Sequence, residues 1–274
     1  MGANSGIEWT DHTFNPWVGC TKISPACDHC YAEGWAKRAG EPALWAGQRR
    51  RTSEKNWNLP LRWNRQAQAS GTRARVFCAS LADVFDNQVP ADWRIDLWNL
   101  ISATPWLDWL LLTKRPQNIS GMLPPSWQEG SWPNVWLGTT ICNQAEADRN
   151  VRHLTAIPAA LRFLSIEPLL GPLTFRWARW VDQDAMLRAF GRLQHLDGLR
   201  GIDWAIVGGE SGAGARPMEL KTALTLRDEF VDAGTAFFFK QWGEHDEKGI
   251  RVGKKRAGSL LEGRTWRQIP VAAP

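Results

Sequence analysis

Six apolar runs, recurring roughly every 30 residues, restrict this chain to very few folds. They are RVFCASL at 75–81, the core of WLDWLLLTKR at 106–115, NVWLGTT at 134–140, LRFLSIEPL at 161–169, IDWAIVGGE at 202–210 and TAFFFKQWG at 235–243. Stretches with helical spacing lie between them: DWRIDLWNLIS at 92–102, PQNISGML at 116–123, NQAEADRNVRHLTAI at 143–157 and ELKTALTLRDEFVDAG at 219–234. The third of these has an acidic start and a basic end, as the helix dipole favours. The fourth stops at Gly234. Strand and helix in alternation predict βα units and a parallel sheet. The runs are apolar throughout, as expected of strands covered on both faces.

Two closures are compatible with this pattern, an open doubly wound sheet and a barrel. The first run is not followed by G-x-G-x-x-G, and no G-x-x-x-x-G-K-[ST] occurs anywhere, so the strongest support for a nucleotide-binding open sheet is missing. The expected fold is therefore α/β, a partial, TIM-like (β/α) barrel. It has six clear strands and one or two less distinct ones near the N-terminus. The expectation is one domain over 1–274, with a helical insertion near 171–200 (DQDAMLRAFGRLQHL) and a basic C-terminal tail at 249–274. Residues 1–16 read as a polar loop anchored by Ile7 and Trp9. AEGWAKRAG reads as a short helix closed by Gly40. LPLRW at 59–63 reads as a packed connector, and QASGT at 68–72 as a surface turn.

The 274 residues carry a formal charge of +5, which leans towards an anionic partner. Nucleic acid is one candidate, through Arg49, Arg50 and Arg51 and through Lys254, Lys255 and Arg256. No apolar run is long enough to span a bilayer and the N-terminus has no signal-peptide core, so the expected location is cytoplasmic and no membrane partner is expected. Five cysteines, an odd number, argue against a disulfide framework. Eighteen tryptophans against one tyrosine read chiefly as core filling. Trp9, Trp17 and Trp35 flank the cysteines and are placed to shield them. Trp127 and Trp132 sit in Pro/Gly-rich loops and are candidates for stacking on bases or sugars.

In parallel α/β folds chemistry gathers at the carboxyl ends of strands. Here those ends carry Asp83, then Thr113, Lys114 and Arg115, then Thr139, Thr140 and Asn143, then Glu167, then Gly208, Gly209 and Glu210, and finally Lys240 and Gln241. Glu167 and Lys240 are the sharpest candidates, because each follows a run that should be buried. Gly208 and Gly209 would admit close backbone approach to a ligand. Cys78 and Cys142 read as structural.

Cys20, Cys27 and Cys30 form Cys-x6-Cys-x2-Cys in a loop of turn-forming residues, a pattern that points to a metal. Three readings stand at this level. One is a zinc site completed by His29, His12 or a remote cysteine. Another is an unliganded reduced trio. The third is a 4Fe–4S cluster with one iron open to a small molecule. The second knuckle usual for zinc is missing.

The blocks IEWTDHTFNPWVGCTKISPACDHCYA, VFCASLADVFD, LLTKRP, WLGTT, LSIEPLLGPL, WAIVGGESG, FFFKQWGE and KKRAGSLLEGRTW, in this order, resemble the phage-encoded three-cysteine-motif family. That family is similar to a divergent branch of the radical S-adenosylmethionine (SAM) superfamily. The resemblance implies a 4Fe–4S cluster on Cys20, Cys27 and Cys30. It also implies SAM on the open iron and reductive cleavage of SAM to a 5′-deoxyadenosyl radical. His29, Asp83, Gly208, Gly209 and Glu210 would contact SAM, and Glu167 and Lys240 would serve the chemistry. A flavodoxin- or ferredoxin-like electron donor would be the partner. The common superfamily spacing is Cys-x3-Cys-x2-Cys, and the first gap is longer here. A zinc-stabilised nucleic-acid-binding α/β protein without catalysis is the competing reading.

Overall fold

A computed structural model describes residues 5–129, 132–175 and 199–270. The proposed helical insertion at 182–196 lies outside the described residues. The chain folds as mixed α/β. Its main sheet has seven strands: β1 (His12–Thr13), β4 (Ala74–Cys78), β5 (Leu107–Thr113), β6 (Val135–Thr140), β7 (Leu161–Ile166), β8 (Trp204–Gly208) and β9 (Ala236–Gln241). They neighbour one another in chain order, without the reversal that a doubly wound sheet needs. That is the order expected of a partial (β/α) barrel. A separate ribbon pairs β2 (Trp17–Val18) with β3 (Arg50–Arg51), antiparallel. Among the described residues no helix is long and apolar enough to cross a membrane.

The chain divides into two compact units, one spanning Met1–Gly138 and Ile157–Leu161, the other Thr139–Ala156 and Arg162–Val271. In the first unit β1 pairs in parallel with β4, and β4 with β5. The two residues of β1 fall inside the stretch read as loop. They join the sheet because Thr10 braces them: its hydroxyl donates to the Arg75 carbonyl and accepts from the Phe77 N–H. Helix α1 (Tyr31–Arg38) follows the cysteine loop, and α4 (Ala91–Ser102) connects β4 to β5.

The stretch read as connector and turn is instead helical, from a short α2 (Glu54–Trp57) into α3 (Leu59–Ser70). Pro60 sits in the first turn of α3, where its missing N–H costs nothing. Pro60, Trp63 and Ala67 form the buried stripe, and Gly71 stops the helix in the left-handed region at φ 66°. Short helix α5 (Ile119–Met122) occupies the segment read as PQNISGML.

In the second unit β7 pairs in parallel with β8, and β8 with β9. Helix α6 (Gln144–Thr155) starts at Asn143, whose side chain accepts from the Glu146 N–H at 2.9 Å. Glu146 reaches back to the Cys142 N–H at 3.0 Å, so Cys142 is buried scaffolding beside a reciprocal cap. Helix α7 (Leu220–Asp232) precedes β9. The segment expected to be a basic tail packs along β9. Phe239 N–H donates to the Trp266 carbonyl, Phe237 N–H to Gln268 Oε1, and Trp204 Nε1 to the Gln268 carbonyl.

The tryptophans fill the cores, as composition suggested. Trp9, Trp17, Trp63, Trp109 and Trp204 are among the largest fully buried side chains. Trp109 on β5 donates from Nε1 to Thr104 Oγ1 at 3.0 Å and meets Phe14 edge-on at 5.7 Å. Trp109→Ala should therefore cost about 3–5 kcal/mol, through the cavity and the orphaned hydroxyl. Urea denaturation of the variant checks it, and a midpoint within error of wild type would contradict the packing described.

Candidate metal and charge centre

The cysteine loop leaves the sheet at the carboxyl end of β1 and is pinned where it begins. Gly19 has φ 113°, and a Cβ there would lie 2.5 Å from the Gln48 carbonyl oxygen and 2.9 Å from that of Leu44. Only glycine fits that approach. Gly19 N–H donates to the Leu81 carbonyl and Cys20 N–H to the Leu44 carbonyl, each at 3.0 Å. The backbone of Cys20 is thereby tied to two other segments of the first unit. Cys27 lies buried on a one-turn 3-10 helix, Pro25–Cys27, capped by Ser24. Cys30 is the N-cap of α1 and packs with Trp35 against Val18, Ala32, Ala36, Leu44 and Leu81. Trp17 and Trp35 thus sit beside the loop as the sequence suggested. His29, expected near the adenine of SAM, is exposed.

The carboxyl ends of β4 and β5 meet this loop through buried charge. Asp83 Oδ1 accepts from Thr113 Oγ1 at 2.6 Å and from the Phe85 N–H at 3.0 Å. Its Oδ2 accepts from the Lys114 N–H at 3.0 Å and from Arg115 Nη1 at 3.1 Å. The same Arg115 Nη1 donates to Cys20 Sγ at 3.6 Å, and Nη2 donates to the Thr21 carbonyl at 3.0 Å. Arg49 donates from Nε to Asp86 Oδ2 at 2.8 Å and from Nη2 to Thr21 Oγ1, also at 2.8 Å. The side chains of Arg49, Asp86, Arg115 and Asp83 are each no more than 6% exposed. Asn15 ties β1 to the end of β4, accepting from the Leu81 N–H and donating to Ser80 Oγ.

Burial pushes the Cys20 thiol up, and the Asp83 charge adds to that, while Arg115 opposes it by charge and hydrogen bond. Burial pulls the Arg115 guanidinium down, but the charges of Asp83, Cys20 and Asp86 prevail and hold it above its usual range. Cys78 lies in the core, and burial drives its thiol far above the ordinary range. It is structural, as read.

In kind, the donor set fits a thiolate-bound group: all five cysteines are free of disulfides, and three share one loop. In disposition the sulfurs are not gathered. Among the described residues no three His, Cys, Asp or Glu side chains are placed to hold one metal ion.

The second unit contains the other expected site residues. Glu167 ends β7 and pairs with Lys240 of β9 at 2.8 Å, the side chains 15% and 25% exposed. Gly208 makes room for this pair, since a Cβ there would lie 2.9 Å from Glu167 Oε1. Gly209 sits where a Cβ would be 1.9 Å from the Trp242 carbonyl oxygen. Close approach at both glycines is therefore to the protein itself. Glu210 is buried and accepts from Arg216 at its backbone N–H, Nε and Nη2, at 2.8, 2.9 and 2.7 Å.

Two features were not assigned from sequence. Arg115 was named at a strand end but given no partner, and Asp86 was passed over. The arginines read as a basic patch each face a carboxylate instead: Arg49 with Asp86, Arg50 with Glu41 at 2.9 Å, and Arg51 with Asp96 at 2.8 Å. Arg51 also lies over the Trp57 ring.

Asp83→Ala should cost about 3–5 kcal/mol, because it leaves the Arg115 charge buried without its carboxylate. Asp83→Asn retains an acceptor and should cost less. Equal denaturation midpoints for Asp83→Ala and wild type would show that the pair does not bear on stability.

A family model described as a protein of unknown function (DUF5131) matches residues 4–270. No curated protein matches the chain.

Proposed function

The chain belongs to the DUF5131 family, and we propose that it is an iron–sulfur protein of the radical SAM type, acting on a substrate still to be identified. The observation that carries this reading is the contact between Cys20 and Arg115. One thiol of a three-cysteine loop meets a buried guanidinium at the carboxyl ends of parallel strands. Resemblance to the three-cysteine-motif family supplies the reaction class.

Cys20, Cys27 and Cys30 would hold the cluster. When bound, a 4Fe–4S cluster supplies the single electron that cleaves SAM. A flavodoxin- or ferredoxin-like protein is the class of donor that would reduce it, and a reducing cytoplasm suits five free thiols. Because the sulfurs are not gathered as they stand, loading would turn the middle of the loop. Its two ends are fixed, one by the Leu81 and Leu44 carbonyls and the other by α1. Between them Lys22, Ile23, Asp28 and His29 are exposed, so the change is local. Metal sites commonly complete themselves in this way.

The protein's own groups divide by availability. Asp83 and Glu210 use their oxygens internally, so their part would be to shape the site rather than to touch SAM. Glu167 and Lys240 are half-buried and paired, and would serve as the polar contacts of the second unit. The nucleic-acid-binding alternative loses its main patch to the carboxylates opposite Arg49, Arg50 and Arg51.

Anaerobic reconstitution with iron and sulfide should yield a brown protein with about four irons per chain. With SAM and dithionite it should release 5′-deoxyadenosine, and Cys27→Ala should lose most of both. A colourless protein that takes about one zinc per chain and forms no 5′-deoxyadenosine would overturn the reading.

A further inference from the structure

We propose that Arg115 is the positioning residue of the three-thiol site: it fixes Cys20 through an N–H···S hydrogen bond and raises the reduction potential of the cluster that Cys20 would ligate. This inference rests on the cluster reading above and adds a control element to it.

The geometry separates Arg115 from an ordinary structural arginine. Its guanidinium reaches three acceptors of different kinds: the Asp83 carboxylate, the Thr21 carbonyl and the Cys20 sulfur. Its own backbone is held as well, since the Arg115 N–H donates to Thr113 Oγ1 at 2.8 Å. Asp83, which aims the guanidinium, is itself locked by Thr113 and the Lys114 N–H. Thr21 is gripped a second time by Arg49, which Asp86 anchors. The residue after Cys20 is therefore held at its carbonyl by one buried arginine and at its hydroxyl by another. A lysine cannot reproduce this, because a single ammonium lacks the planar fork that serves several acceptors at once.

The electronic consequence follows from charge. A sulfur that accepts an N–H bond gives less electron density to iron, and a nearby permanent cation favours the reduced, more negative state. Hydrogen bonds to cluster sulfurs and local charge are among the levers that set such potentials. Arg115 supplies both, at one ligand of three.

The test compares wild type, Arg115→Lys and the double variant Arg115→Gln with Asp83→Asn, all reconstituted anaerobically. The double variant removes the charge pair together, so it folds where a lone neutral replacement would strand Asp83. Circular dichroism establishes folding, iron analysis measures loading, and a dye-mediated redox titration followed by electron paramagnetic resonance gives the midpoint potential. Both variants should be folded and show a more negative midpoint than wild type. A folded variant that loads markedly less iron also supports the role, because Cys20 is then out of place. Fully loaded variants with the wild-type midpoint would overturn the inference while leaving the cluster reading intact. A wild type that takes up no iron would overturn both.

Discussion

Arg115 can carry a full charge into the protein because Asp83 is already there. Each is nearly inaccessible to solvent, and neither would be tolerated alone. Asp83 is in turn fully occupied, by the Thr113 hydroxyl, two backbone N–H groups and the guanidinium. This knot joins the carboxyl ends of β4 and β5 to the residue that follows the first cysteine of the loop. Buried pairs of this kind add little net stability compared with an apolar core, yet losing one partner is costly. Their contribution here is to definition: they fix where Cys20 stands.

The second unit is organised by the same economy at lower cost. Glu210 is consumed by Arg216, while Glu167 and Lys240 pair at a half-buried position. Gly208 and Gly209 are required by neighbouring protein atoms, not by a ligand. Polar residues at strand ends thus fall into two groups. One satisfies the interior and aims its neighbours, and the other retains exposure and can meet something from outside. Position at a strand end does not by itself distinguish them.

Several local misreadings share one cause. The Leu59–Pro60 pair reads as a connector because proline usually interrupts helices, but in the first turn of α3 it interrupts nothing. His12 and Thr13 carry no strand signal of their own, and they pair because Thr10 bonds across to β4. Arg49, Arg50 and Arg51 read as a basic patch because their carboxylates lie elsewhere in the chain, the nearest at Glu41. In each case the deciding contact joins residues that no local window contains.

The sequence by itself determined the alternation of strand and helix, and with it the parallel sheet. Burial of both faces demands uninterrupted apolar runs, and those are visible without a structure. It also determined that three thiols share one loop, since that is a matter of spacing. Only the tertiary structure decided which polar groups are used internally and which remain available. Arg115 and Cys20 stand 95 residues apart in the chain, and a hydrogen bond between them depends on the sheet bringing two strand ends together. Hydrophobic periodicity is local and repeats, so it is legible. The pairing of individual charges is long-range and happens once, so it is not.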